Sequence, residues 1–542
     1  MSIEKEDGAV EKLMEDCPKQ EEPAEEKYDK LKNFDMSDDV EKAYAGMGKE
    51  ELMKYANSPF WVRLRLLLFI AFWLSWFAMM FGALFIIFMA PKCFPQQNIE
   101  WYQRTPVYVI NATNIGLEEL DEKIDYFKKL GVENIVLSSE FKFAHDQVAD
   151  FLVDFSNSSF VSHNSTKDLI TKLKAKGMKV LIKIIPNHST TTNPLFLRSI
   201  LKETPYKDYY IWKSGVISNM GHHPPNNWLS ITGGSMWTWN DRRKEYYLHQ
   251  FSEMEPDFNF HNKDVVNYFE NLFKFWLDNG VDGFYLDKVQ YLFEDKEFKN
   301  DTRIPVESIL TNNNAFTSYL PESYDLLSKW GKFIIENSNS GILIVGDIDN
   351  KNITGVNIAH SSIALPKDFA GEQLLQAILL KRTSSQWPSW EWICSDCKDS
   401  WPREINEAFN ILSSILQGVP IIYADNNIFE NNIIPNVTFI ESTLKDLRAT
   451  PTIEFGTFNA KLISDNVLVI DRVISSSESY IFVWNLNKNS TNISLLSFKD
   501  VPKEASLILC TESACPTLPP LKSKVNCYNM SIAAQSAIVL KF

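Results

Sequence analysis

The sequence predicts an α/β protein: a single transmembrane helix, then a parallel (β/α)8 TIM barrel, then a C-terminal antiparallel β-sandwich domain. Three observations lead there. Residues 66–90 run without a single charged side chain. Over residues 105–454, short apolar runs alternate with amphipathic helical stretches. From residue 455 to 542 the helical period vanishes and only strand-like runs remain.

Residues 1–63 read as an acidic cytoplasmic tail. Within them, residues 1–58 carry 17 Asp and Glu against 9 Lys, so −8 of the chain's net −15 lies in this stretch. A segment rich in Glu, Lys and Asp and poor in aromatics cannot bury enough apolar surface to fold alone, and is expected to be largely disordered. The acidic balance of the whole chain also argues against a nucleic-acid partner, which needs a basic surface.

The transmembrane helix is placed over 64–90, around "LLLFIAFWLSWFAMMFGALFIIFMA". As a helix these apolar residues run about 37 Å, enough to cross a bilayer core of about 30 Å with some tilt. A core helix rarely stays apolar on every face for so long, and a signal peptide lies nearer the N-terminus with a shorter apolar core. Lys49, Lys54, Arg63 and Arg65 precede the span, whereas only Lys92 and Arg104 follow it closely. The positive-inside rule therefore puts the N-terminus in the cytoplasm, a single-pass type II arrangement. Asn-x-Ser/Thr acceptors agree: Asn111, Asn157, Asn164, Asn187, Asn300, Asn352, Asn436, Asn489, Asn492 and Asn529 all follow the span.

Residues 91–104 form an extracellular neck carrying Cys93. A thiol there is too far from any core to be filler, so an intermolecular disulfide is expected. Cys394 and Cys397 make a lone C-x-x-C, and without a second pair at metal spacing no zinc site is expected. Cys515 and Cys527 are candidates to close a loop in the last domain, with Cys510 nearby. Cys17 belongs to the reducing compartment.

Eight barrel strands can be counted: "PVYVIN", "VENIVLS", "MKVLIKIIP", "VDGFYLD", "GILIVGD", "GVNIAHSS", "QWPSWEW" and "VPIIYAD". Helical stretches separate them, among them "LEELDEKIDYFKKL" and "DVVNYFENLFKFWLDNG". The segment from about 187 to 260, rich in Trp, Pro, Asn and His, has no such period and reads as an insertion after the third strand. Its Trp228, Trp237 and Trp239, and the later Trp387, Trp390 and Trp392, are read as core or interface residues before sugar platforms.

"LEELDEKIDYFKKLGVENIVLSSEF", "GMKVLIKIIPNHST", "GVDGFYLDKV" and "GILIVGD" resemble the α-amylase/α-glucosidase family, in order and at family-like spacing. With the anchor and the neck cysteine, the whole chain resembles the heavy subunits of heteromeric amino acid transporters, the rBAT and CD98 heavy-chain group. The glycosidase resemblance implies a retaining mechanism, with a nucleophilic Asp and a Glu that acts as acid and then base. Asp287 matches the nucleophile, at the strand C-terminal end where barrel enzymes keep such groups.

Its surroundings depart from the pattern. Tyr285 stands where the family carries an Arg, and a phenol brings no positive charge. Lys183 replaces the Asp that accompanies that Arg. Asp347 replaces the Glu acid/base and is one methylene short. In "CSD", Cys394 and Ser395 replace an Asn and a His, while Asp396 is kept. "NATNIGLEEL" replaces the family's metal-binding loop, so no metal and no cofactor are expected.

The resemblance implies an ancillary heavy subunit at the plasma membrane, with a catalytically inactive barrel. It would be disulfide-linked through Cys93 to a polytopic light subunit that it stabilises and delivers. The alternative is a membrane-anchored α-glucosidase with a modified active site.

Overall fold

The computed structural model describes residues 48–89, 100–110, 132–138 and 161–542, except 219–220, 302–314, 349–352, 383–386, 399–400, 425–444, 465 and 475–476, with short pieces at 142–143, 147–148 and 152. Cys17, Cys93, the first barrel helix and the metal-loop position, all read from the sequence, lie outside the described residues.

A short helix, α1 (Lys49–Ala56), precedes α2 (Pro59–Met89), whose 31 residues start with proline, a residue suited to the first turn. The helix thus begins about two turns before the uncharged run. Its best window has a mean hydropathy of 2.1, long and apolar enough to cross a membrane. Arg65 folds back onto the Ala56 carbonyl, 2.7 Å away.

The second unit holds a closed barrel of eight parallel strands: β1 (Val107–Ile110), β2 (Asn134–Leu137), β3 (Lys179–Ile184), β4 (Gly283–Leu286), β5 (Ile342–Gly346), β6 (Ile358–His360), β7 (Trp387–Trp390) and β8 (Val419–Ala424). Each pairs with its neighbour in sequence, and β8 closes on β1. Side chains alternate across such strands. Val107, Val109, Val136, Leu181, Tyr285, Ile342, Ile344, Ile358, Val419 and Ile421 make up a cluster of their own in the barrel interior. Their neighbours, such as Ile135, Ile182, Phe284 and Leu343, pack outward against the helices.

Those helices carry matching stripes. α3 is Val161–Ala175. α4 (Lys263–Asp278) is capped by Asn262, whose side chain accepts the Asp264 N–H, and buries Val265, Phe269, Leu272, Phe273 and Trp276 on one face. α5 (Pro321–Glu336) buries Leu326, Leu327, Trp330 and Ile334. On α5, Gly331 meets the loop at Gly355 backbone to backbone, and a Cβ there would lie 2.4 Å from the Gly355 carbonyl oxygen. α6 (Gly371–Arg382) and α7 (Arg403–Ile415) complete the described ring.

The insertion is more ordered than its lack of period suggested. Strands 212–213, 245–248 and 237–240 form a small antiparallel sheet, and 216–218 pairs with 221–223. Trp228 and Trp237 are buried against Phe298 and Phe316.

In the C-terminal domain, β9 (Thr457–Leu462), β10 (Val467–Val473), β11 (Tyr480–Asn485), β13 (Glu504–Cys510), β14 (Lys524–Asn526) and β16 (Ser536–Lys541) form an antiparallel sheet in the order β9-β10-β11-β16-β13-β14. β12 (Thr491–Ile493) and β15 (Met530–Ile532) pair separately. One face of the large sheet packs Leu468, Phe482, Trp484 and Val539 against α6 and α7. The other buries Val469, Val483, Ile538 and Leu540 with Ile493, Met530 and Ile532.

The cysteines require one correction. Cys394 and Cys397 are bonded to each other, but Cys515 is bonded to Cys510, not to Cys527. A turn at Thr511–Ala514 folds the chain back after β13, which brings the Cys510 and Cys515 Cα atoms to 5.4 Å. Cys527 is a thiol buried in the hydrophobic cluster, where burial pushes its pKa up.

Candidate functional site: an ion-paired barrel mouth

The C-terminal ends of β3, β4 and β5 lie side by side, with Lys183 in register with Tyr285, and Tyr285 with Ile344. All three side chains point into the barrel, and Asp287 and Asp347 follow the ends of β4 and β5.

Lys183 Nζ lies 2.8 Å from Asp287 Oδ2, with both side chains largely buried. The ammonium also sits 5.1 Å from the centre of the Tyr285 ring. Asp287 Oδ1 accepts the backbone N–H of Lys288 at 2.9 Å. Burial of Asp287 opposes its charge, but the Lys183 and Lys288 ammonium groups and these hydrogen bonds outweigh that, and its pKa is lowered. The sequence reading counted Lys183 as a position where the nucleophile's partner is lost. That is corrected: the cation has moved from β4 to β3, and Asp287 remains paired.

Asp347 is held in turn. Lys288 Nζ lies 3.2 Å from its Oδ2, and its backbone N–H donates to the His360 carbonyl. Lys288 and Asp347 both have left-handed backbones, with φ of 57° and 52°. Non-glycine residues in this region are uncommon and cost energy, so the surrounding packing must hold both in place.

A second polar group lines the same end. The His360 ring stands edge-on to Tyr285 at 5.6 Å; its Nδ1 is 2.8 Å from Ser389 Oγ and its Nε2 2.6 Å from Glu391 Oε2. Beside it, Lys381 donates to the Ser361 carbonyl at 2.6 Å, and burial pushes its pKa down to about 8. Lys288, His360, Ser389, Glu391 and Lys381 were all missed from sequence. The one available signal was the position of His360 at the end of β6 and of Glu391 just after β7.

His188, from "PNHST", packs on Phe251 with ring centroids 5.0 Å apart, and its Nε2 lies 3.7 Å from Glu255. Burial lowers its pKa to about 4 against the pull of Glu255. The preceding Asn187 contradicts its reading as a glycan acceptor. It is 1% exposed, and its Nδ2 donates to the Tyr291 carbonyl at 2.6 Å, so the nitrogen that would carry the sugar is already used. Asn300, Asn489, Asn492 and Asn529 are exposed. Asn111, Asn157, Asn352 and Asn436 lie outside the described residues, as does the side chain of Asn164 on α3.

The structure thus brings Lys183, Tyr285, Asp287 and Asp347 together. It places Ser395 and Asp396 elsewhere. They follow strand 392–394, which pairs with 363–365 in a two-stranded sheet apart from the barrel strands. Both are exposed, and Asp396 accepts the N–H of Lys367. Cys394, Asp396 and Cys397 cluster closely enough to ligate a metal, but the two sulfurs are bonded to one another and offer no thiolate.

Asp287 and Asp347 stand where the resemblance places the two carboxylates of a retaining glycosidase site. Such a site needs one carboxylate free to attack and another able to hand over a proton. Here each oxygen of Asp287 carries a hydrogen-bond partner, and an ammonium sits on Asp347.

Residues 32–108 match the model of the solute carrier family 3 member 2 N-terminus, and residues 111–363 that of the alpha-amylase catalytic domain. The pairing of these two matches, together with relatives among amino acid transporter heavy chains, supports the rBAT and CD98 heavy-chain family. An amino acid transporter heavy chain SLC3A1 of Rattus norvegicus is 34% identical over 284 residues, 50% of this chain and 40% of that one. A salivary alpha-glucosidase of Anopheles gambiae is 34% identical over 263 residues, 44% of each. Against both curated relatives the chain spans less than half of their length. In fold, a Bacillus licheniformis trehalose-6-phosphate hydrolase superposes with a TM-score of 0.64, covering 82% of this chain and all of that one at 17% identity. The two matches together cover one apolar N-terminal helix and much of an amylase-like barrel.

Proposed function

We propose that this chain is the ancillary heavy subunit of a heteromeric amino acid transporter, with an amylase-like barrel that does not hydrolyse glycosides. In this reading it is a type II glycoprotein of the plasma membrane. Its helix α2 sits in the bilayer beside a polytopic light subunit, to which Cys93 is disulfide-linked. One helix cannot enclose a polar path with every backbone group satisfied, so the light subunit forms the translocation route and this chain stabilises and delivers it.

The observation that carries the reading is the double lysine pairing at the barrel mouth, Lys183 on Asp287 and Lys288 on Asp347. It leaves at the acid/base position an ion-paired Asp347, one methylene shorter than the family's Glu, and with the Lys288 N–H it fills both oxygens of Asp287. A match to a transporter heavy-chain N-terminus that includes the apolar helix supports the same reading. The test is co-expression with light subunits: surface labelling and amino acid uptake should rise with this chain. A light subunit that reaches the surface and transports equally well alone would defeat it.

The retained position of Asp287 favours a second reading, a membrane-anchored α-glucosidase. Maltose turnover by the purified full chain, abolished by Asp287→Asn, would establish it.

A further inference from the structure

We propose that the Cys394–Cys397 disulfide is a thiol–disulfide exchange site that accepts electrons from a low-molecular-weight thiol. This is independent of the role of the barrel mouth and of the transporter reading.

The site's location favours exchange. Cys394 ends strand 392–394, which pairs only along residues 363–365, in a sheet separate from the barrel. Both cysteines are half-buried, and Ser395 and Asp396 between them are exposed, so a small thiolate can approach the sulfurs from solvent. With a separation of three residues the bond closes a minimal loop, and such a loop removes little entropy from the unfolded chain. As a staple it contributes little.

Its hydrogen bonds favour the reduced form. The Cys397 N–H points at Cys394 Sγ from 3.1 Å, and Asp396 Oδ1 lies 3.6 Å from the same sulfur. In the disulfide that sulfur carries no proton, so the carboxylate faces it without a bond. In the dithiol, Cys394 S–H donates to Asp396. The carboxylate is already fixed for this by the Lys367 N–H. The other disulfide has no such arrangement: Cys510 lies in the large sheet, 4% exposed, and Cys515 Sγ rests on the Cys510 carbonyl.

The chemistry balances with two equivalents of thiol. A thiolate attacks Cys397 Sγ, a mixed disulfide forms, and the Cys394–Cys397 bond breaks with its electron pair leaving on Cys394 Sγ. That sulfur takes up a proton from solvent, and the resulting S–H hydrogen-bonds to the Asp396 carboxylate. A second thiolate attacks the outer sulfur of the mixed disulfide and releases Cys397 as thiolate, which is then protonated. Two thiols are oxidised to one disulfide, and the protein gains two electrons and two protons.

The test uses the full-length chain in detergent, equilibrated in glutathione buffers of stepped ratio. Differential alkylation and peptide mass spectrometry then report each disulfide. Cys394–Cys397 should be half reduced at a glutathione concentration at least about tenfold below that needed for Cys510–Cys515, with near-ultraviolet circular dichroism unchanged. Asp396→Ala should raise the glutathione requirement of Cys394–Cys397 about fivefold, and Asp396→Glu should restore it. Joint reduction of both disulfides on unfolding would overturn the proposal. So would an Asp396→Ala midpoint equal to that of the unmodified chain.

Discussion

Lys183 Nζ sits 2.8 Å from Asp287 Oδ2, an ion pair between neighbouring barrel strands inside a largely buried mouth. The lysine occupies an oxygen that a glycosidase nucleophile would present to its substrate, and it also keeps the carboxylate ionised in a place where burial alone would neutralise it. One contact therefore both holds two neighbouring strands together and keeps a buried carboxylate charged.

Lys183→Met should destabilise the barrel by about 3 kcal/mol, because it strands a buried carboxylate without its cation. Chemical denaturation at pH 7 measures this. The pH dependence should change too. With its folded pKa depressed, Asp287 contributes stability that is present above the unfolded value of about 4 and lost as pH falls below it. In Lys183→Met, burial is opposed only by Lys288, so the folded pKa rises toward the unfolded value and this acid-side loss should shrink. An unaltered stability and pH profile would show the pair to be energetically silent.

His188→Asn should flatten stability between about pH 4 and 6.5. The folded imidazole protonates near 4, held down by burial, while the unfolded one protonates at its ordinary value. Across that window the unfolded chain binds more protons, so stability falls as pH falls, by up to about 3 kcal/mol for this one group. Denaturation at stepped pH in the two proteins gives the difference; parallel curves would contradict it.

Gly346→Ala should disturb the mouth without removing a charged group. A Cβ there would lie 2.9 Å from Asp287 Oδ1 and 3.2 Å from a Tyr285 ring carbon. Overpacking of this kind costs about 1–3 kcal/mol. The loss should be smaller in a Gly346→Ala, Asp287→Ala background, because the crowded carboxylate is gone, and a double-mutant cycle reads that coupling.

Much of this was legible in the sequence. All eight barrel strands can be read from period and spacing, since a strand buried on both faces declares itself by a run such as "ILIVG". The position of Asp287 follows from its place after such a run. The Lys183 pairing was not legible, because it depends on the register of β3 against β4 and on how far an ammonium reaches across it. Asn187 shows the opposite failure. Its acceptor motif is intact as text, but only the fold buries the nitrogen that must react. The Cys510–Cys515 pairing depends on a turn after β13, and spacing alone does not choose between it and Cys515–Cys527.

Glycan mapping tests that burial together with the membrane orientation. Asn187→Gln should leave the glycan mass unchanged. Removal of Asn300, Asn489, Asn492 or Asn529, which are exposed, should each be able to subtract one glycan. A glycan on Asn187 would mean that this part of the mouth is open when the sugar is attached.

The most direct test of the account is non-reducing mass spectrometry of the chain purified from its native membrane. The account predicts a peptide containing Cys93 disulfide-bonded to a peptide of a polytopic amino acid transporter, with the linked species lost in Cys93→Ser. A native chain whose Cys93 is free, or bonded only to another copy of itself, with no polytopic partner recovered, would contradict it.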